Sequence, residues 1–289
     1  MRIVRSPAQL DRQPRAVAIG TFDGVHRGHL SVVRAAVDTG LAATAITFDP
    51  HPRVALGNQV ELITTLERRL ELLGEAGLES VLVASFTTEL MALEPEEFAN
   101  RYLRAIGAEA VAAGADFRFG ARRRGDLELL ERLGFEVLEV PHVDGASSSA
   151  VREALQRGDV AAAAAMLGRP YELDGLVVTG DQRGGTLGYP TANLAVAPQL
   201  ACPRYGIYAG AALGHRAAVS IGTNPHYGGR ERRIEPYLLD FDGDLYGTRL
   251  LVEVWQRLRD EAVFASEEEL VAQIARDVDA ARRADRPDV

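Results

Sequence analysis

Residues 17–29, Val-Ala-Ile-Gly-Thr-Phe-Asp-Gly-Val-His-Arg-Gly-His, constrain the fold more than any other stretch of this chain. The apolar run at 17–19 reads as a buried strand bounded by Gly20. Asp23 and Gly24 punctuate a turn, and a helical pattern starts near Gly28. Strand, glycine-rich turn and helix start form the geometry in which backbone N–H groups and a helix dipole meet an anion. Glycine at 28 lets a phosphate approach the backbone with no Cβ in the way. His26 and His29 project into the same turn, so the arrangement asks for a polyphosphate. Two other readings stay open: Asp23 as a turn or N-cap residue alone, and the histidine pair as metal ligands, although neither Cys nor Glu stands beside it at the usual zinc spacing.

One absence narrows the chemistry further. The 289 residues contain no lysine, which removes Walker A loops and Schiff-base catalysis. Phosphate chemistry must therefore fall to arginine, histidine, backbone amides and a metal. Acidic residues outnumber basic ones, 41 to 32, for a net charge of −9. That sign disfavours nucleic acid and anionic membranes as partners; small-molecule substrates fit it, and oligomerisation stays open. The single Cys202 leaves no intramolecular disulfide and fits a reducing compartment. The first residues show no apolar leader and no run reaches bilayer length, so a cytoplasmic protein is expected. The length fits two domains.

Beyond His29, helical periodicity over 30–37 ends at Gly40, and 43–48 reads as a second buried strand. It runs into Asp49-Pro50-His51-Pro52-Arg53, a stiff loop at a strand's C-terminal end, where ligands bind in open α/β sheets. His51 there is either a ligand contact or an idle loop residue. A helix over 67–73, a strand over 80–84, a helix over 95–106 and a strand over 111–113 continue the alternation, which argues a doubly wound parallel sheet. Past the last strand stands Gly114-Ala115-Asp116-Phe117-Arg118-Phe119-Gly120. Asp116 can accept from ribose or amino groups and Phe117 can stack on a base; both phenylalanines can equally plug the core. Arg122, Arg123 and Arg124 make a basic cluster that reads as solvated or as an attractor of phosphates. Ser147, Ser148 and Ser149 precede a helix over 150–156. One of them is the expected N-cap, and with Arg152 they can form a second phosphate cradle.

These motifs carry a resemblance. Gly-x-Phe-Asp-Gly-Val-His-x-Gly-His at 20–29 closely resembles the ATP-binding motif of bacterial flavin adenylyltransferases, within the wider HxGH nucleotidyltransferase group. Phe48-x-Pro50-His51-Pro52, Gly114-x-Asp116-Phe117-x-Phe119-Gly120 and Ser147-Ser148-Ser149-x-x-Arg152 are similar to further motifs of that family. The resemblance implies that Gly20, Phe22, Asp23, Gly28, His51, Asp116, Phe117, Ser148 and Ser149 line an ATP or flavin site. His26, His29 and Arg152 would meet the phosphates. Ser149 stands where the family usually has Thr, and the loop at 142–146 is shorter than the family's.

An alanine-rich helix over 160–167 stops at Gly168 and Pro170, and the composition then turns to short strands punctuated by glycine. A domain boundary is expected there, giving residues 1–168 and 169–289. A strand over 173–179 leads into the flap Gly180-Asp181-Gln182-Arg183-Gly184-Gly185-Thr186-Leu187-Gly188-Tyr189. Gly180, Gly184 and Gly188 suit a loop that wraps phosphates or a plain hairpin. Pro190-Thr191-Ala192-Asn193 follows, and the side-chain oxygens of Thr191 and Asn193 are hard ligands suited to Mg2+ shared with ATP. Strands over 207–212, 216–221, 234–241 and 249–255 have the spacing of a small antiparallel barrel. Glu235 stands in a largely apolar run; a half-buried carboxylate should have a raised pKa, as a general base needs, and an exposed strand residue is the alternative. Ser266 and Glu269 make a capping box for a final helix to about 282.

The flap with Pro-Thr-Ala-Asn resembles riboflavin kinase, and Glu235 matches the base of that family's Glu-x-x-Leu-x-Asp motif. Gly185 replaces a basic residue, Pro236 and Tyr237 replace a small residue and His, and His226 replaces Thr. Over nearly its whole length the chain resembles bacterial bifunctional riboflavin kinase/FAD synthetases. The fold implied is a Rossmann-like α/β nucleotidyltransferase domain, then a small antiparallel β-barrel domain with a C-terminal helix. The implied activity phosphorylates riboflavin to FMN and adenylylates FMN to FAD, with ATP as co-substrate, Mg2+ as cofactor and pyrophosphate released. The alternative is a flavin-binding regulator with an impaired kinase site.

Overall fold

Short apolar strands alternate with helices from residue 2 to residue 140, and that alternation builds the first sheet. In chain order the elements are β1 (Arg2–Val4), β2 (Arg15–Ile19), α1 (Arg27–Val37), β3 (Ala42–Asp49), α2 (Pro52–Ala55), α3 (Leu66–Glu75), β4 (Ser80–Ser85), α4 (Thr88–Ala92), α5 (Pro95–Phe98), β5 (Ala108–Gly114), α6 (Leu127–Arg132) and β6 (Glu136–Val140). The computed structural model describes residues 1–180, 188–223 and 232–289.

All pairings in this sheet are parallel, in the order β1-β4-β3-β2-β5-β6. β2 is buried on both faces: Val17 and Ile19 enter one core cluster, Ala16 and Ala18 the other. Period-two alternation does this, since neighbouring side chains leave opposite faces. The winding runs from β2 to β3 and β4, then returns to place β5 on the other side of β2. Such a reversal opens a crevice at the carboxyl ends of the two strands. The turn after β2 and the loop after β5 both start at that edge.

One expected element is not a single helix. Residues 95–106 divide into α5, a π-helical turn Ala99–Leu103 and a 3-10 turn Arg104–Ile106, ending at Gly107 with φ +82°. Only glycine fits there, because a Cβ would overlap the Gln13 carbonyl.

The remaining elements are α7 (Ser148–Arg157), α8 (Val160–Leu167), β7 (Tyr171–Val178), β8 (Asn193–Val196), β9 (Gly206–Ala212), β10 (His215–Thr223), β11 (Arg232–Leu238), β12 (Arg249–Arg259) and α9 (Glu267–Arg283). The strands pair antiparallel in the order β11-β10-β9-β12-β7-β8. The Ala192 N–H, just before β8, donates to the Pro236 carbonyl on β11 at 3.0 Å, which brings the two ends of the sheet together as a barrel. Ala281 and Ala284 at the end of α9 cover Ala209 and Ala218. Ser266 caps this helix, accepting from the Glu269 N–H at 3.3 Å. Among the described residues no helix is long and apolar enough to cross a membrane.

By packing, the chain divides into 1–60 with 66–146, and 61–65 with 147–289. That division differs from the composition boundary near Gly168. Val151, Leu155, Val160 and Leu167 of α7 and α8 share one core with Tyr171, Tyr208 and Val252 of the barrel, and apolar contact rather than composition decides where a helix belongs. The segment 61–65 is tied to the same unit. The Leu62 N–H donates to Gln199 at 2.6 Å, the Ala201 N–H donates to Leu62 at 2.7 Å, and the Thr65 hydroxyl donates to Asp174.

Candidate active sites

In the first unit the turn between β2 and α1 is strained and closed. Phe22, Gly24 and Val25 all have positive φ, at 51°, 87° and 41°. A left-handed β-branched residue is costly, so such a turn persists only where its surroundings fix it. They do: the Gly20 N–H donates to Ile46 at 3.1 Å, Thr47 Oγ1 donates to the Thr21 carbonyl at 3.0 Å, and Phe22, Asp23 and Val25 are buried. Positions 20 and 28 are crowded, since a Cβ would press on the Phe22 ring at 3.2 Å and on the His26 ring at 3.2 Å.

His26, rather than Asp23, is the N-cap of α1. Its Nδ1 accepts from the His29 N–H at 3.3 Å. An accepting Nδ1 carries no proton, so the ring's proton sits on Nε2 as a donor. The two imidazoles stack with centroids 3.6 Å apart and planes 20° apart, and Phe22 meets His29 edge-on at 5.4 Å. Burial first, then the nearby His26 and Arg69, push the His29 pKa well below 6.5. Its Nδ1 is buried with no hydrogen-bond partner in the protein. Among the described residues no group of three or more His, Cys, Asp or Glu is placed to hold a metal ion.

His51 caps α2 by accepting at Nδ1 from the Arg53 N–H at 3.1 Å, and it is buried. In the loop after β5, Asp116 is exposed and faces His142 at 3.9 Å. Phe119 is buried between Phe98 and Phe117, the latter stacked on it at 5.6 Å. The core-plug reading describes Phe119, and Phe117, half-buried, packs against the same core cluster. Arg122 and Arg123 both have positive φ, and Arg124 pairs with Glu94.

Ser148, Ser149 and Arg152 fall within the second unit. Ser147 is the N-cap of α7 and accepts from the Ala150 N–H at 3.1 Å, so the helix begins at Ser148. Arg152 Nε donates to the Glu61 carbonyl at 2.5 Å.

The barrel brings together two motifs that are distant in sequence, Pro190–Asn193 and Glu235–Pro236. Ala192, held to Pro236, stands between Thr191 and Asn193, and Glu235 precedes Pro236 on β11. Glu235 and Tyr237 share one face of that strand, and the Tyr237 ring meets Tyr189 edge-on at 5.5 Å. Tyr189 thus approaches the face that carries Glu235, while Pro190 and Thr191 line a cavity with Pro236 and Leu238 of the opposite face. Glu235 is half-buried, its side chain 30% exposed, with Arg233 Nη1 at 3.5 Å from its Oε1. A cavity of about 250 Å3 adjoins this segment, lined by Pro190, Thr191, Pro236, Phe241 and Tyr246 among others. Gly180 packs against the Asn193 side chain so closely that a Cβ would overlap the amide. Gly188 has φ +84°. Arg183, Gly184, Gly185 and His226 lie outside the described residues.

Sequence reading missed Arg69. It sits on the apolar side of α3, almost wholly buried, and acts electrostatically on His29, Asp23 and Asp49. Only its register among Leu70, Leu72 and Leu73 marks it in the sequence, and Arg68, one residue before, is ion-paired with Glu71 and Glu75.

Two family models match the chain in the same order: FAD synthetase over residues 8–152 and riboflavin kinase over residues 167–284. A bifunctional riboflavin kinase/FMN adenylyltransferase of Listeria monocytogenes is 36% identical over 282 residues, covering 91% of this chain and 90% of its own. The Escherichia coli protein of that description is 36% identical over 300 residues, 96% of each chain. That of Bacillus subtilis is 33% identical over 300 residues, 95% and 94%. A crystal structure described as a macrolide-efflux protein from Streptococcus pneumoniae is similar with a TM-score of 0.88 at 30% identity, covering 98% of this chain and 99% of its own.

Proposed function

The chain belongs to the bifunctional riboflavin kinase/FMN adenylyltransferase family, and from that premise we propose how its residues divide the work. The activity has two steps, riboflavin to FMN and FMN to FAD, each drawing on ATP. By activity, residues 1–168 serve as the adenylyltransferase and residues 169–289 as the kinase, although α7 and α8 pack with the barrel. Neither family match supports the alternative of a flavin-binding regulator with an impaired kinase.

In the adenylyl step the FMN phosphate attacks the α-phosphorus of ATP and pyrophosphate leaves, so the protein supplies no nucleophile. Its contribution is donors fixed where charge develops. His26 offers Nε2–H, because its Nδ1 is used as the helix cap. His29 is a neutral imidazole above pH 6.5, and its buried, unpartnered Nδ1 is the atom a phosphate oxygen would satisfy. The first-turn amides of α1 add the positive end of the helix dipole. Asp23 and Gly28 shape the turn, Gly20 admits Phe22, and His51, Asp116 and Phe117 serve the nucleotide or flavin from neighbouring loops. Ser148, Ser149 and Arg152 form a second phosphate cradle.

In the kinase step Glu235 takes the proton of the ribityl 5′-hydroxyl, whose oxygen attacks the γ-phosphorus. The carrying observation is the Ala192–Pro236 hydrogen bond, which joins the Thr191–Asn193 segment to the strand of Glu235. Thr191 and Asn193 fit Mg2+: both present oxygen, and Gly180 leaves the space that the Asn193 amide fills. When bound, the ion neutralises charge on the ATP phosphates. Free Cys202 and ATP as co-substrate support a cytoplasmic setting. The test is to incubate the purified chain with riboflavin, ATP and Mg2+ and separate the flavins by chromatography. FMN and FAD should both form, and FMN alone or no product refutes one or both assignments.

A further inference from the structure

Behind the turn at 20–29 stands a charge that no motif announces. Arg69, on α3, is 2% exposed and surrounded in sequence by leucines that enter the core. A guanidinium does not shed its proton, so it is withdrawn from water only where something compensates it. Its Nη1 donates to the Phe48 carbonyl near the end of β3 at 3.3 Å. Its charge acts on Asp23, fully buried in the turn, and on Asp49, the last residue of β3. Its Nε, like His29 Nδ1 in the turn it faces electrostatically, is buried with no hydrogen-bond partner in the protein. Buried polar groups that serve packing alone are normally satisfied. Two unsatisfied nitrogens around one strained turn point to a different service.

We propose that Arg69 is a positioning residue of the adenylyl-transfer site: it fixes positive charge behind the turn and so sets how Asp23 and His29 meet the ATP phosphates. This rests on the assignment of that site to residues 20–29. His29 is faced by His26 from the N-cap of α1 and by Arg69 from α3. Arg69 is faced in turn by Asp23 from the turn and by Asp49, which also pairs with Arg5 at 3.5 Å. With Arg69 present, a second proton-borne charge on His29 is opposed and the Asp23 carboxylate is balanced. Without it, His29 gains protons more readily and Asp23 loses one nearby positive charge.

The test compares Arg69→Gln and Arg69→Lys in the full chain, with FAD formation from supplied FMN and FMN formation from riboflavin measured on the same preparations. Arg69→Gln should lower the turnover of FAD formation by about 10–100-fold, the scale of a small misplacement at a reacting centre, and leave FMN formation unchanged. Arg69→Lys should regain most of the loss. NMR titration of the His29 ring should show its protonation moving up in pH in Arg69→Gln. Unchanged FAD formation together with an unchanged His29 titration overturns the proposal, and so does equal loss of both activities in both variants, which is the mark of a folding role. A wild-type chain that forms no FAD fails the site assignment itself.

Discussion

Gly180 packs its bare Cα against the side-chain amide of Asn193, where a Cβ would overlap the carbon, oxygen and nitrogen of that amide. The contact joins the end of β7 to the start of β8. Ala192, the residue before Asn193, is fixed to Pro236 at 3.0 Å. The proposed Mg2+ ligand is thus held from two sides, by a missing side chain and by a backbone hydrogen bond.

Gly180→Ala should therefore displace the Asn193 amide without touching the first unit. FMN formation should fall by about 10–100-fold, as expected for a displacement near 1 Å at a reactive centre. The Mg2+ concentration for half-maximal rate should rise, and FAD formation from supplied FMN should hold. A Mg2+ titration that matches wild type would remove Asn193 from the ligand set.

Glu235→Gln keeps the shape of the side chain and removes the base. FMN formation should drop by roughly 10²–10⁴, while FAD formation from supplied FMN is unaffected. Arg233 lies 3.5 Å from Glu235. Full kinase activity in Glu235→Gln would sink the assignment.

The sequence exposes what is local and hides what is tertiary. The strand at 17–19, the turn and the helix start are legible because apolar runs, glycines and a helical period each have a local cause. The cap is less so: Asp23 has the preferred chemistry for it, yet Asp23 is drawn into the core and His26 takes the role. β1 has three residues and β6 alternates two acids with apolar residues, so neither stands out from a loop by pattern. Arg69 looks like any polar residue of an amphipathic helix until the partner elements are in place. The packing of α7 and α8 with the barrel is likewise invisible to composition.

The second unit depends on an ion pair as well as on its apolar core. Asp174 on β7 is buried and receives Arg249 Nε at 2.7 Å, Nη2 at 2.8 Å and the Thr65 hydroxyl. Arg249→Met leaves a buried carboxylate short of two charge-assisted donors, which should cost about 1–3 kcal/mol. Urea unfolding monitored through Trp255 measures it. Asp174→Asn combined with Arg249→Met should recover part of the loss, because the stranded charge is gone. A change below about 0.5 kcal/mol in the single variant, the scale of an ordinary surface substitution, would mean that water replaces Arg249.

His29 links catalysis to pH. His29→Ala removes a donor held at the phosphates, and FAD formation should fall by about 10²–10³ while FMN formation survives. His29→Asn, which keeps an amide donor but cannot titrate, tests the protonation state. In the unfolded chain His29 titrates near 6.5; in the folded chain burial, His26 and Arg69 push it well below that. Between the two values the unfolded state binds the extra proton, so stability falls as pH falls. The contribution is fully present above pH 6.5 and is lost as pH drops through the folded pKa. Below 6.5 the slope approaches about 1.4 kcal/mol per pH unit for one proton. Asparagine does not titrate, so the difference in unfolding free energy between wild type and His29→Asn should be constant above pH 6.5 and shrink, or reverse, below it. Parallel stability curves from pH 7.5 to 5 would show that His29 takes up its proton alike in both states, and the neutral donor would have to be abandoned.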